Sequence, residues 1–496
     1  MGKTNDLTSG SIPRQLLALM TPLIMGNILQ QLYNTVDAFI LGRYAGSVEF
    51  ASAGVAGAVM NLFLFMITGA CTGISVLYAQ FYGAGDLKGF RKEHWLSLSF
   101  GMLVTLLISG LGLLGMPALL KMIHTPEALT GAVSAYLRII LISLPAAFLY
   151  NLYGAMLRSI GKAGAALGAL GIAVFVHLLL DYWLVASLGM GIEGAATATA
   201  VSQLISAVLC ILYLWKTAPE LLFRREDCRM DQALLKKTGH FSFVTGLHQS
   251  SLYLGKLLVQ GAVNTGGTEM IAAYTATTRI EGFANSFGDS GAAATSVLVA
   301  QNFGAGKEER VRGTYRWSLI FMLALGAFMS AVMYASAGAT VGFMLEVHEG
   351  SAFVNGREYM KLVALFYVLC FTGNTFAGYF DGIGRVSVPF VGAASHISLR
   401  VVLSWLLIKR MGLPAVALAT GIGWVLVNLF WALVKMYLDR KGTFNRDRLA
   451  DPAPYDRCNQ EMRRAGGDMP PAFLSSRYLL SGVCAAFVTD LVVYQP

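Results

Sequence analysis

Residues 79–85 read AQFYGAG, and residues 300–306 read AQNFGAG. Each copy ends a long apolar run and leads into a short basic loop. Other matches keep a similar offset of 220–223 residues: Gly26, Leu32, Tyr33, Gly46 and Glu49 recur as Gly246, Leu252, Tyr253, Gly266 and Glu269; Ile160-Gly161-Lys162 as Ile383-Gly384-Arg385; and Gly191, Ala196, Ala198 and Thr199 as Gly412, Ala417, Ala419 and Thr420. A nearly constant offset predicts that the chain is an internal duplication.

The composition is that of a membrane protein. Of 496 residues, 55% are hydrophobic and only 13% are charged, which excludes a soluble globular enzyme and a disordered chain. A membrane-spanning helix needs about 20 mostly apolar residues. Twelve runs qualify: 14–43, 51–80, 95–120, 130–156, 164–187, 192–215, 240–263, 270–301, 315–345, 359–380, 387–408 and 413–437. These runs are long and do not alternate, which excludes a β-barrel.

The predicted fold is an all-α membrane protein with twelve transmembrane helices in two six-helix lobes. An even number of spans per copy gives both copies the same orientation, so a pseudo-two-fold axis along the membrane normal relates them. The predicted units are an N-lobe at 1–216, an inter-lobe linker at 217–239, a C-lobe at 240–438 and a cytoplasmic tail at 439–496. Within the tail, 471–496 is mildly apolar, and we interpret it as tail rather than a thirteenth span.

The net charge of +9 relates to membrane topology rather than to nucleic acid. Basic residues concentrate in the loops that follow spans two, four, six, eight and ten, at 88–92, 158–162, 216–237, 307–316 and Arg385. The positive-inside rule therefore predicts that both termini are cytoplasmic. We expect the protein to lie in the inner (plasma) membrane of the cell. The six cysteines contain no CxxC pair and predict neither a disulfide framework nor a zinc site.

Two aspartates lie inside predicted spans, where an ionisable side chain is costly and is therefore a functional candidate. Asp37 and Asp181 each lie about 9 Å below the outer end of their helix, at 1.5 Å per residue. Tyr136 on span four and Thr199 on span six fall at a similar depth, about 9–10 Å. We therefore expect one polar layer in the outer half of the N-lobe.

Span one also carries a polar stripe, because Asn27, Gln30, Asn34 and Asp37 recur at intervals of three and four residues. His177 lies one turn before Asp181. In lipid such a stripe faces either a cavity or neighbouring helices, and we interpret it as lining a substrate cavity. Removing a carboxyl group from water favours its neutral form, so the paired aspartates suit proton coupling. Alternatively, Asp37, Asp181 and the Thr199 hydroxyl group hold a sodium ion.

The C-lobe lacks this aspartate pair and carries other charged residues within its spans. These are Lys256, Arg279, Glu281, Asp289 and Arg400, the last one turn after His396. We expect them to line the same cavity, with Lys256 and Glu281 paired across helices.

The sequence resembles the MATE (multidrug and toxic compound extrusion) transporters, from about Ser11 to Leu438. The most specific stretches are Pro22–Gly42 (PLIMGNILQQLYNTVDAFILG), Ala79–Gly85, Asn151–Gly161 (NLYGAMLRSIG) and Gly191–Thr199 (GIEGAATAT). The resemblance is to the bacterial DNA-damage-inducible type. It implies ion coupling at Asp37, Asp181, Thr199 and Tyr136, a backbone carbonyl at Ala195, and cavity roles for Gln30 and Asn151.

One departure from the family pattern bears on the ion. The family usually has asparagine one turn before the span-five aspartate, and this chain has His177. That exchange removes an amide oxygen from a candidate sodium shell and adds a side chain that titrates near neutral pH, which favours protons over sodium.

The resemblance implies an antiporter that exports organic, often cationic, amphipathic compounds by alternating access of two lobes. The alternative is a superfamily relative that exports a specific metabolite or flips a lipid-linked substrate. The sequence contains no GxSxG, HExxH or Walker motif, so we expect no enzyme activity and no cofactor besides the coupling ion. We expect a monomer that contacts membrane lipid and a small organic substrate, and binds no nucleic acid.

Overall fold

The computed structural model describes residues 6–440, and all regular secondary structure in that range is helical. The first half contains α1 (Ile12–Tyr44), α2 (Ser47–Gly83), α3 (Leu87–Met122), α4 (Glu127–Ser159), α5 (Ala163–Asp181), a π-helix (Tyr182–Ser187) and α6 (Gly191–Thr217). The second half contains α7 (Gln232–Asn264), α8 (Thr268–Gly304), α9 (Glu308–Leu345), α10 (Ser351–Ala364), α11 (Tyr367–Gly382), α12 (Ser387–Met411) and α13 (Leu413–Arg440). The predicted tail lies outside the described residues from 441 onward.

The helices agree with the predicted twelve spans, with one difference. The predicted tenth span, 359–380, is two helices, α10 and α11, bent by 50° at a short break. Within the described part of the chain, nine helices are both long and apolar enough to cross a membrane, and the bent pair makes a tenth. Helices α7 and α8 have 33 and 37 residues, about 50 Å or more, and are long enough to span but more polar.

The repeated AQxxGAG-type turns fold alike in the two halves. Gly85 after α2 has a φ of +70°, and Gly306 after α8 has a φ of +68°. A backbone with positive φ is open to glycine at little cost, which explains why both copies keep glycine at this position. We call the end of the bundle that carries these two turns the basic face, because lysines and arginines concentrate in and beside the loops at this end.

Each half has its own apolar core, and α1 contacts both. One core is built from α2, α3, α4, α5 and α6. The other contains α8, α9, α11 and α13 together with Leu16, Leu19 and Met20 from the start of α1. The far end of α1 instead packs Ile40 and Leu41 against Val185 and Ala195 of the first half. Contacts between the halves are made mainly by the pairs α1/α8 and α2/α7, which the repeat makes equivalent, and by α2/α8.

The linker between the halves is shorter than predicted, because α7 begins at Gln232 inside the predicted range 217–239. It docks on the start of α3. The Arg91 Nε atom lies 2.8 Å from Asp227 Oδ2, and Lys92 Nζ lies 3.6 Å from Asp231 Oδ2. The rings of His94 and Trp95 pack on Phe223, with centroids 4.9 and 5.4 Å apart. The linker is therefore held by four residues of the first turns of α3.

A further hydrogen bond joins the start of α7 to α3. The Thr238 hydroxyl group donates to Glu93 Oε2 at 2.7 Å, and both residues are buried. The linker and the first turns of α7 are thus fixed to the N-lobe side.

Replacing Asp227 with alanine should release the linker. Burial would raise the pKa of this carboxyl group, but hydrogen bonds from the Arg224 backbone N–H and the Arg91 guanidinium hold it below 3.8. A lowered pKa means that the carboxylate stabilises the docked linker at neutral pH and stops doing so only as pH falls through that lower value. We expect trypsin to cut at Arg224, Arg225 or Arg229 several-fold faster in Asp227→Ala at pH 7.

The matched control is Glu226→Ala, because Glu226 is exposed and lies 3.9 Å from Arg224 in a weak surface pair. Equal cleavage rates in the two variants would show that the Arg91–Asp227 contact does not hold the linker.

Candidate functional site

Asp181 is the last residue of α5, immediately before the π-helix Tyr182–Ser187. It is fully buried, and neither carboxyl oxygen accepts a hydrogen bond from an N–H or hydroxyl group of the described residues. Single π-helical turns inside longer helices often mark functional sites. An ionised carboxylate in this environment would be unpaired and costly, so the position suits a group that takes up a proton or a cation.

Asp37 on α1 faces the same site. Its Oδ1 atom is buried and also lacks a hydrogen-bond partner within residues 6–440. The Asp37 and Asp181 carboxyl groups lie close enough to interact electrostatically. The structure thus brings together the two aspartates that the depth count placed in one layer. Two like charges at such proximity disfavour simultaneous ionisation, which makes the pair a unit.

The neighbours of the pair are polar and aromatic. The His177 Nε2 atom lies 3.3 Å from the Thr199 hydroxyl oxygen, and both residues are buried. The Tyr33 ring meets the His177 ring edge to face, with centroids 4.5 Å apart. Tyr136 is buried, interacts electrostatically with Asp37 and Asp181, and donates from its hydroxyl group to Met60 Sδ at 3.4 Å.

Tyr33 was not among the predicted site residues. Its spacing of four residues before Asp37 was the available signal, because side chains at that spacing lie on one face of a helix. Ala195 is buried in an apolar cluster with Ile40, Leu41 and Val185.

The polar residues of the stripe on α1 lie in two different environments. The Asn27 amide nitrogen donates to Ser290 Oγ at 3.0 Å and to the Ser286 carbonyl at 3.3 Å, both on α8. Asn27 therefore ties α1 to the second half. Gln30 and Asn34 are exposed and remain available to line a cavity.

Asn151 does not join the aspartate layer. Its amide donates to the Ala147 carbonyl at 2.9 Å, and its Oδ1 accepts from Thr68 at 3.2 Å. It therefore links α4 to α2, closer to the basic face than the aspartates.

The second half contains a separate buried polar cluster. Glu281 on α8 is buried, and its Oε1 lacks a hydrogen-bond partner in the described part of the chain. The hydroxyl groups of Tyr359 and Tyr367 are fully buried near it, and Arg400 Nη2 donates to the Tyr274 hydroxyl at 3.4 Å. The three tyrosines were missed from sequence.

The predicted Lys256–Glu281 pairing is not formed as an ion pair. Within residues 6–440, no contact shorter than 4 Å joins these two charged groups, and Glu281 interacts more strongly with Arg400. Lys256 and Asp289 are exposed and interact with each other electrostatically. Arg279 is exposed on α8.

The MatE family model matches two segments of this chain, residues 22–183 and 244–406. Together they cover well over half of the chain. The chain belongs to the MatE family. The two matches begin 222 residues apart and end 223 residues apart, which confirms the offset of the internal repeat.

Similar proteins cover the MATE chain almost completely. It is 25% identical to the probable multidrug resistance protein YpnP of Bacillus subtilis, over 89% of this chain and 92% of the relative. It is 22% identical to the probable multidrug resistance protein NorM of Thermotoga maritima, over 88% of this chain and 94% of the relative. The resemblance to MATE transporters is confirmed, and the DNA-damage-inducible subtype stays a prediction.

Solved structures support the fold. A MATE crystal structure in a bent conformation superposes with a TM-score of 0.83 and 20% identity, covering 90% of this chain and 99% of the other. A superfamily transporter from Pyrococcus furiosus, described as having a binding pocket of reversed polarity, superposes with a TM-score of 0.81 and 19% identity, covering 88% and 98%. These similarities confirm the all-helical transporter fold of this MATE protein.

Proposed function

We propose that this MATE transporter is an antiporter that exports organic, often cationic, amphipathic compounds in exchange for inward-moving protons. The observation that carries the proposal is the pair of the half-buried Asp37 and the buried Asp181, because Asp37 Oδ1 and both Asp181 carboxyl oxygens have no hydrogen-bond donor within residues 6–440. The named relatives, which are probable multidrug resistance proteins, support the substrate class.

The physical scheme requires one site with two occupants. A cationic compound is attracted to ionised carboxylates and to aromatic faces such as Tyr33, whereas protonation of the pair removes that attraction. Because the two occupants exclude each other, protons that bind from the side of higher proton concentration release the compound on that side. The chain supplies the carboxyl groups, the exposed amides of Gln30 and Asn34, and the helix movement. We propose no chemical change of the compound and no further cofactor.

Protons are preferred over sodium because of His177. Its imidazole Nε2 lies 3.3 Å from the Thr199 hydroxyl oxygen, so this side chain offers nitrogen atoms and no amide oxygen to a cation. Sodium at Asp37, Asp181 and Thr199 remains the alternative. We further propose that the protein acts as a monomer in the inner (plasma) membrane with both termini cytoplasmic, binding no nucleic acid.

The test is uptake of a fluorescent organic cation into proteoliposomes with a proton gradient or a sodium gradient imposed separately. We expect the proton gradient alone to drive accumulation. Accumulation with the sodium gradient alone would name the other ion. No accumulation with either gradient would contradict the proposal.

The second candidate is export or flipping of an anionic or lipid-linked compound. The specific observation in its favour is the presence of two basic side chains in the second half: Lys256 is exposed, and Arg400 lies beside Glu281. Inhibition of cation uptake by an anionic lipid-linked compound, or transport of that compound alone, would favour this candidate.

A further inference from the structure

The repeated AQFYGAG and AQNFGAG segments meet where the two halves of the molecule touch. The Gln80 amide donates from Nε2 to the Gly382 carbonyl at 3.1 Å. The Gln301 amide donates from Nε2 to the Ser159 carbonyl at 2.6 Å. Gln80 and Gln301 are equivalent in the repeat, and so are Ser159 and Gly382. Each glutamine therefore reaches from one half to the same point in the other half.

The glycines of the same segments form a matching contact. A side-chain carbon added to Gly83 would clash with the backbone oxygen of Gln301, and one added to Gly304 would clash with that of Gln80. The ends of α2 and α8 thus touch backbone to backbone, which only glycine permits. Apolar residues of α2, α7 and α8 fill the adjoining space, including Leu77, Phe241, Val244 and Ala300.

The acceptors are suited to a contact that opens and closes. Ser159 ends α4 and Gly382 ends α11, and the last carbonyls of a helix have no partner within it. In the closed arrangement they accept from the glutamines. When the halves separate, water can replace the glutamines at little cost, because a hydrogen bond contributes only a modest net stability. A contact of this kind is strong enough to favour one state and weak enough to break.

We propose that these residues form a two-fold latch that closes the transport pathway on the basic face. This latch consists of Gln80, Gly83, Gln301 and Gly304 with the carbonyls of Ser159 and Gly382. It breaks and re-forms in each transport cycle. The inference rests on the proposed alternating access, and it assigns that movement a defined contact. The latch explains why both halves keep the glutamine and the glycines of this segment at the end of equivalent helices.

The test measures the separation of the halves at the basic face directly. Cysteines introduced at the exposed positions Lys88 and Glu309, in a background without native cysteines, carry spin labels for pulsed electron resonance distance measurements. We expect the double variant Gln80→Ala/Gln301→Ala to raise the ratio of the long-distance to the short-distance population roughly tenfold, since two hydrogen bonds are lost. Gly83→Ala should shift the ratio in the same direction, because its new methyl group separates α2 from α8.

Two controls test the specificity. Gln260→Ala removes a half-buried glutamine on α7 whose hydrogen bond stays within its own helix, and Gly57→Ala adds a methyl group on α2 where nothing lies within 4 Å. Both should leave the distances unchanged. If the double variant does not fold, the single variants Gln80→Ala and Gln301→Ala decide, each with a shift of roughly threefold.

Wild-type distance distributions in the folded glutamine variants and in Gly83→Ala would overturn the latch. Because the distances are measured without a compound or a gradient, they do not depend on the proposed substrate or ion. A failure of the latch is therefore distinguishable from a failure of the antiport proposal, which the uptake assay reports.

Discussion

Asp181→Asn is expected to reduce proton-driven uptake of an organic cation by about 100-fold, the upper range of a coupling free energy between two ligands. Asparagine has nearly the shape of aspartate but cannot release a proton or attract a cation. Asp181 is fully buried and ends α5 where the π-helix begins, and its loss leaves Asp37 as a single carboxyl group in a site that we propose to work as a pair. The measurement is initial uptake into proteoliposomes with a proton gradient, normalised to the amount of inserted protein.

The matched control is Glu193→Gln, which removes an exposed acid from the first turn of α6. It should keep wild-type uptake. Undiminished uptake by folded Asp181→Asn would contradict coupling through this residue.

The paired arrangement also determines what a second substitution does. Asp37→Asn alone should lower uptake to a similar extent, because the two carboxyl groups titrate as a unit. The double variant should then be no worse than either single variant, since residues that act together are not additive. Additive losses would indicate two independent sites.

Much of the fold could be predicted because it depends on patterns that run along the linear sequence. Span length, loop charge and the constant repeat offset are properties of the linear sequence, and they gave the twelve spans and the duplication. The bend between α10 and α11 was not predicted, because the break near residues 365–366 contains neither proline nor glycine. Hydrophobic periodicity does not record such a bend. Tyr359 and Tyr367 flank this bend, so a depth count along one straight helix could not place them beside Glu281.

The depth of the site residues along their helices was predictable, but the neighbour that each side of a helix faces was not. Counting residues from the helix ends placed Asp37 and Asp181 in one layer, and the structure brings them together. The same count could not say which neighbour each side of α1 meets. Asn27 therefore proved to be bonded to α8, and Asn151 to α2, although both share a helix with residues near the site. The π-helix after Asp181 also has no local sequence signal, since the residues YWLVAS are compatible with an ordinary α-helix.

His177→Asn is expected to convert the coupling site towards sodium. The substitution places an amide oxygen near the present position of His177 Nδ1, which has no hydrogen-bond partner within residues 6–440 and lies one turn before Asp181. Sodium, like other hard cations, binds oxygen ligands, and a histidine nitrogen in that place competes poorly. We expect the apparent sodium affinity in the uptake assay to rise by at least roughly tenfold, as when ligands or their supports are changed at metal sites.

The outcome separates the two ions in a way that the aspartate variants cannot, because both ions need the carboxylates. His248→Asn is the matched control, since His248 lies on α7, outside the cluster of His177, Thr199 and Tyr33. It should leave ion dependence unchanged. If wild-type protein already requires sodium, or if His177→Asn stays purely proton-driven at full activity, then His177 does not select the ion. Selection would then have to reside in the aspartate pair and Thr199 themselves.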